Sequence, residues 1–327
     1  MFASIQATAV ASILTAATLG FSLAAPTPAP AAVMLSRPAP AYHFSNLRRG
    51  MSPDASLAFT TLDDPADPTF NQLLGINNNG LIVGYFGSGA TGHPNQGYEL
   101  PPPYNSYVNE NFPGSVQTQV TAVNNRHDTA GFWVDANGKN RGFVEWNGVF
   151  TSYPNPHKSS VSQILGLNDY GIGVGFYVDG NGLAHGYEVN QATSQYKAVT
   201  PPSGSNTTAS GINDNGDVVG FTTAGNGATV GFLMKDGKFS EFAFPNAMAT
   251  TPFGVNSNDE IVGSFMDSAG ATHGFTLTNP LTHAKFTQID DPAGVGGTVV
   301  NGLNDKGELV GFYIDAAGNT DGMLVLK

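Results

Sequence analysis

Beyond about residue 57 the apolar positions fall in short runs, each cut off by a cluster of Asn, Asp and Gly. The stretch from Ser162 onward shows the pattern. SQILGLN reads as a strand, and Asn168-Asp169-Tyr170-Gly171 turns it; GVGFYV is a second strand, and Asp179-Gly180-Asn181-Gly182 turns again. AHGYEV makes a third strand and, after a loop, QYKAVTPP supplies a fourth. Asn and Gly suit such turns because they accept a positive φ at low cost. Four strands joined in this order predict one antiparallel sheet. Aromatic and branched residues stand side by side in Val174-Gly175-Phe176-Tyr177 and Val310-Gly311-Phe312-Tyr313, which predicts burial on both faces of the sheet.

The same pattern recurs. GINNNGLIVGY, AVNNRHDTAGF, GLNDYGIGVGF, GINDNGDVVGF, GVNSNDEIVGS and GLNDKGELVGF align on Asn77, Asn124, Asn168, Asn213, Asn256 and Asn304, spaced 47, 44, 45, 43 and 48 residues apart. A glycine follows each Asn by seven residues (Gly84, Gly131, Gly175, Gly220, Gly263, Gly311), and a second follows at Gly97, Gly142, Gly186, Gly231, Gly274 and Gly322. Fixed inner spacing with variable outer spacing describes a rigid unit joined by loops. A period of about 45 residues carrying four strands is that of a propeller blade. The last copy ends after its third strand, whereas FTTLDDP at Phe59–Pro65 matches FTQIDDP, the fourth strand of the fifth copy at Phe286–Pro292. The expectation is therefore an all-β, six-bladed β-propeller of four-stranded antiparallel blades over residues 57–327. Its ring would be closed by an N-terminal strand that completes the last blade and hides the sheet edges. The blades would be about 69–115, 116–159, 160–204, 205–247, 248–295, and 296–327 with 57–67.

GINDNGDVVGF followed by DGNGLAHGY or DSAGATHGF resembles the HAF-type extracellular repeat of exported bacterial proteins, over nearly all of residues 57–327. The His-Gly-aromatic signature stands at His185-Gly186-Tyr187 and His273-Gly274-Phe275, while Gln96, Arg141, Val230 and Asp321 occupy the His position elsewhere. The resemblance implies a propeller-like fold and export. It implies no activity.

Composition narrows the partners. Only 12% of residues are charged, net charge is −12 and no Lys/Arg cluster exceeds Arg48–Arg49, so neither nucleic acid nor an anionic membrane is an expected partner. No cysteine is present, which excludes disulfides and thiolate metal sites. Ala7–Ala25 is a run of small and apolar residues followed by PTPAPAA, the pattern of a signal-peptide core and cleavage region, although the first basic residue is Arg37. Residues 1–25 are expected to be a signal peptide cleaved near 25–32, residues 26–56 a Pro/Ala-rich linker, and the protein secreted or periplasmic.

Catalytic motifs are missing: the chain has no G-x-S-x-G, no phosphate-binding loop and no HExxH. The six Asn could line an axial site, but their presence in every copy favours Asx turns. Asp179-Gly180-Asn181-Gly182 has two of the oxygen ligands of a calcium loop and lacks its downstream Glu, so a turn is the simpler reading. No metal, no cofactor and no catalytic residue are expected. Residues in irregular segments or off the repeat are the candidates for ligand contact: His127, Tyr104, Tyr107, Trp146 and Tyr153. The leading expectation is a non-catalytic propeller that binds a small molecule, glycan or protein through loops at one end of the ring. The alternative is a propeller hydrolase or lyase, acting on a carbohydrate or small ester at an axial site.

Overall fold

The computed structural model describes residues 57–202 and 204–326; the expected signal peptide and linker lie outside the described residues. Among the described residues there are 24 strands and a single 3-10 turn, Pro156–Lys158. The third copy folds as its sequence pattern predicts: Ser162–Leu167, Ile172–Val178, Ala184–Asn190 and Tyr196–Val199 pair in that order, all antiparallel. The first and second copies form four-stranded sheets of the same kind. The fourth and fifth are joined into one eight-stranded sheet by a single parallel pair, Thr229 with Ala249. The segment 90–115 contains two strands, Gln96–Leu100 and Val108–Asn109. The N-terminal strand Ala58–Thr61 pairs antiparallel with Thr320–Leu326, Phe59 opposite Val325, and is the fourth member of the sixth copy's sheet.

Each repeat Asn ties its own turn and then its neighbour. In the fourth copy the Asn213 Oδ1 accepts the N–H groups of Asn215 at 3.0 Å and Asp217 at 2.9 Å, an Asx turn that stiffens the hairpin. Its Nδ2 donates to the Asn256 carbonyl at 3.0 Å. The other five do the same: Asn77 to Asn124 at 2.9 Å, Asn124 to Asn168 at 3.3 Å, Asn168 to Asn213 at 3.2 Å, Asn256 to Asn304 at 3.1 Å, and Asn304 back to Asn77 at 3.1 Å. The circuit of hydrogen bonds returns to its start and defines an axis.

The strands nearest that axis share an irregularity. In each, the register slips at the residue before the Gly or Ala of the repeat motif: Leu74, Thr121, Leu165, Ser210, Phe253 and Asn301. Such a bulge turns its side chain out of the regular alternation. It also explains the first repeat glycine. A Cβ on Gly84, Gly131, Gly175, Gly220, Gly263 or Gly311 would lie 1.9–2.2 Å from a carbonyl oxygen of the bulged strand, so only glycine fits.

The core lies between successive sheets rather than in one centre. One cluster joins Val144 and Tyr153 of the second copy to Ile164, Leu167 and Tyr187 of the third; another joins Leu73 and Tyr98 of the first to Val310 and Leu324 of the sixth. Phe132, Phe143, Phe176, Phe232, Phe275 and Phe312 are at most 2% exposed, each worth about 2–3 kcal/mol of burial. Leu57 and Phe59 pack on the cluster of Val300, Leu309 and Met323, so the N-terminal strand contributes apolar surface as well as pairing.

Three substitutions test this account by chemical denaturation. Gly175→Ala should cost about 3 kcal/mol, since main chain cannot yield to the new Cβ; Gly180→Ala, where a Cβ meets nothing within 4 Å, should change stability by less than about 0.5 kcal/mol. Asn213→Ala leaves buried N–H groups and a carbonyl without partners and should cost about 3 kcal/mol, a fall in Tm of about 10 °C.

Candidate functional site

The residue after each repeat Asn sits at the mouth of the axis. These positions are Asn78, Asn125, Asp169, Asp214, Ser257 and Asp305, and with the Asn circuit they line a cavity of about 80 Å³. They form a second tier of hydrogen bonds. The N–H of Asn125 donates to Asp169 Oδ1 at 2.7 Å, that of Asp169 to Asp214 Oδ1 at 2.8 Å, that of Ser257 to Asp305 Oδ1 at 2.8 Å, and that of Asp305 to Asn78 Oδ1 at 2.8 Å. Asn78 Nδ2 also reaches Asp305 Oδ2 at 2.7 Å. Burial raises the Asp214 carboxyl above its ordinary value, and the carboxylates of Asp169 and Asp305 push it further, against the pull of the Asp169 N–H. The mouth is therefore rich in acceptors and negatively charged.

A second group of ionisable side chains lies off the axis, between the first two copies. His127 occupies the turn position held by Gly80, Gly171, Gly216 and Gly307 in four other copies, and adopts their left-handed backbone at φ +73°. That conformation is costly for a residue with a Cβ. Its Nε2 contacts both oxygens of Glu99 at 3.0 Å, and this partner raises the His127 pKa against partial burial. Beside it, burial pushes Glu110 up to about 7; the Glu99 and Glu145 carboxylates add to the shift, while a hydrogen bond from Thr129 Oγ1 at 2.8 Å and the His127 charge oppose it. Glu145 is raised chiefly by burial. Sequence reasoning singled out His127 but not Glu99, Glu110 or Glu145, which no motif marks.

The other four expected contact residues are tied into the scaffold. Tyr104 donates its hydroxyl to the Gly80 carbonyl at 3.0 Å, and Tyr107 stands edge-on to Tyr98 with ring centroids 4.9 Å apart. Both are half-buried against the core shared by the first and sixth copies. Trp146 ends the strand Asn140–Trp146 rather than lying in an irregular segment, and the Arg126 guanidinium sits 5.9 Å from its ring centre. Tyr153 is buried between the second and third copies at 2% exposure, its hydroxyl on the Gln191 carbonyl at 3.3 Å, so it offers no ring face to a ligand. These residues do not converge on one pocket.

At the second hairpins the turn aspartates are already used. Asp179 Oδ1 accepts the N–H groups of Asn181 and Leu183 at 2.8 and 3.0 Å, and Oδ2 meets His185 Nε2 at 3.0 Å. The His185 partner, followed by those N–H groups, holds Asp179 down at about 2. Asp135 and Asp267 repeat the arrangement with Arg141 and His273. The basic residue in turn lies against an aromatic ring: His185 on Tyr177, His273 on Phe265 and Arg141 over Trp133. Among the described residues no group of three or more His, Asp or Glu is arranged to hold a metal ion.

No family model matches the chain, and no curated protein is similar to it. Solved structures are similar in fold. A putative TolB from Agrobacterium tumefaciens superposes with a TM-score of 0.55 at 9% identity, over 80% of this chain and 91% of that one. AofleA from Arthrobotrys oligospora gives 0.52 at 13% identity, over 83% and 86%. TolB from Acinetobacter baumannii gives 0.51 at 12% identity; this chain matches 75% of its own length to it and spans 63% of that protein. The described chain is an all-β protein with the β-propeller architecture of these neighbours. Among the described residues no helix is long and apolar enough to cross a membrane.

The Glu110 site makes stability depend on pH. The folded chain holds the Glu110 proton more tightly than the unfolded chain does. That adds stability which is fully present below the ordinary glutamate value of 4.5 and is lost as pH rises through about 7. The melting temperature should therefore fall between pH 5 and 8, and Glu110→Gln should flatten that fall; an unchanged slope in the variant would show that Glu110 is not its source.

Proposed function

We propose that the six copies are the six blades of a single ring, closed by pairing of the N-terminal strand with the last copy. On this reading residues 57–327 are an exported binding module of the HAF-repeat kind, carried behind a signal peptide and linker, and the module is not catalytic. The return of the Asn circuit to Asn77 and the pairing of Ala58–Thr61 with Thr320–Leu326 support closure.

The mouth above the Asn circuit carries the functional reading. The repeat keeps the Asn in every copy and varies the residue after it, and every variant there (Asn, Asp or Ser) presents an oxygen acceptor. A rigid scaffold with a variable rim is suited to recognition. Three carboxylates and two amide oxygens around one opening select a ligand that brings hydrogen-bond donors, such as the hydroxyls of a glycan. A second reading, a hydrolase or lyase, draws on a different place: Glu110, Glu99 and His127 combine a carboxylic acid held near neutrality with a paired base. It would move the chemistry off the axis.

A thermal-shift panel of neutral and amino oligosaccharides on the full chain tests the first reading. A ligand at a hundred times its Kd should add about 2.7 kcal/mol of stability, several degrees in Tm. A variant combining Asp169→Asn, Asp214→Asn and Asp305→Asn should lose most of that shift. A flat panel, or equal shifts with the triple variant, would overturn recognition at the mouth.

A further inference from the structure

Deeper along the same axis lies a ring in which the repeat breaks altogether. The six bulge residues alternate in character in chain order: Leu74, Thr121, Leu165, Ser210, Phe253, Asn301. The rings between it and the mouth do not vary in this way. The Asn circuit is invariant; the layer beneath it, from Ile76 to Leu303, is wholly aliphatic; and the next is glycine except for Ala122. Each bulge residue keeps 4–8% of its surface, whereas Leu73, Val120, Ile164, Ala209 and Val300, one position earlier, are 0% exposed. The bulge residues therefore face a hollow axis. All six line one cavity of about 30 Å³ and also, together with the glycine and aliphatic layers, one of about 90 Å³.

The three polar members make one and the same bond to the next inner strand. Thr121 Oγ1 donates to the Ile164 carbonyl at 2.8 Å, Ser210 Oγ to Pro252 at 2.7 Å, and Asn301 Nδ2 to Leu73 at 3.0 Å. The single proton of each hydroxyl is shared between that carbonyl and one of its own sheet, Ala130 at 3.2 Å for Thr121 and Val219 at 3.3 Å for Ser210. Asn301 has something left over: its Oδ1 is buried and has no partner. A buried acceptor left open costs about 1–3 kcal/mol, so it marks a place for a donor. Around the ring, the neighbours of Asn301 are Phe253 and Leu74, and the residue opposite is Leu165. The open acceptor is thus set among apolar walls.

We infer that this ring binds a small neutral molecule with an apolar body and a single hydroxyl donor, of the size of a short-chain alcohol, whose O–H donates to Asn301 Oδ1. Space fits that class. A water requires roughly 10–15 Å³ and an apolar cavity near 150 Å³ takes benzene, so about 90 Å³ admits a molecule of a few heavy atoms. The site is separate from the ligand proposed at the mouth, and it does not depend on that reading.

The probe is 2-fluoroethanol, with its methyl ether as the analogue lacking a donor, followed by ¹⁹F line broadening against the full chain. Saturable broadening by the alcohol and not the ether is expected. Asn301→Thr copies the arrangement of the second copy: it keeps the bond to the Leu73 carbonyl and removes the free amide oxygen. It should fold and weaken binding by about tenfold, the worth of one buried hydrogen bond. Leu165→Phe, which fills the ring from the far side, should abolish binding even if Asn301→Thr proves unstable, and Leu281→Ala, at an exposed position that lines neither cavity, should leave it unchanged. Equal binding by Asn301→Thr, equal broadening by the ether, or no saturable broadening at all would overturn the proposal; the last would leave an ordered water only at Asn301.

Discussion

The circuit of six asparagine side chains is the interaction on which the rest of this structure depends. An asparagine amide carries an acceptor and two donors at a short, fixed reach. Here the acceptor closes the residue's own turn, as in the pair of N–H groups on Asn213 Oδ1, while a donor crosses to the next copy's carbonyl. Aspartate would keep the turn and lose the crossing bond. Glutamine would be too long to hold both. Because the amides are uncharged, the circuit adds no charge of its own to a chain of net charge −12. No disulfide supplements it, since the chain has no cysteine.

With that ring fixed, positions just above and below it become free to differ. One residue after the Asn, the backbone is already committed and only the side chain changes, which places Asp169, Asp214 and Asp305 beside one opening. Three residues before it, a bulge turns each inner strand's side chain towards the axis, and the paired strand answers with glycine because its Cα abuts the bulged strand's carbonyl. The second repeat glycine follows in part from sheet-on-sheet contact: a Cβ on Gly142 would come within 2.8 Å of Ile164 in the next copy, and one on Gly97 within 2.7 Å of Val120 in the next. The fifth copy shows compensation between layers. Ser264 stands where Tyr85, Phe132, Phe176, Phe221 and Phe312 stand in the others, and the same copy supplies the largest bulge residue, Phe253, packed edge-on against Phe221.

Departures from the repeat also gather between the first two copies. His127 takes a glycine's backbone conformation, and a bond to Glu99 holds its ring in place. The neighbouring Glu110 is made harder to ionise by burial, with other carboxylates adding to the shift. The perturbed carboxyls are an arrangement that regular blade-building does not require, whereas the positive φ of His127 recurs at Gly80, Gly171, Gly216, Asp259 and Gly307.

The sequence by itself determined the repeating unit, its four strands and the pairing of the chain's two ends, because these follow from local signals: turn chemistry at Asn168–Gly171, apolar runs, and the match of FTTLDDP to FTQIDDP. It also pointed to the Asx role of the repeat asparagines, since a residue present in every copy serves every copy. The candidate sites were much less legible. Tyr153 and Trp146 looked available for contact, yet they fill the space between copies, for burial is decided by the neighbouring sheet and not by the turn in which a residue stands. The acceptor mouth and the ring of Leu74, Thr121, Leu165, Ser210, Phe253 and Asn301 bring together residues more than forty positions apart in the chain. Their variation is plain in the aligned copies, but its meaning rests on a bulge, and a bulge is a fact of strand pairing. Only the tertiary structure could show that these six side chains meet at one axis, and that one of them, Asn301, arrives there with an acceptor still open.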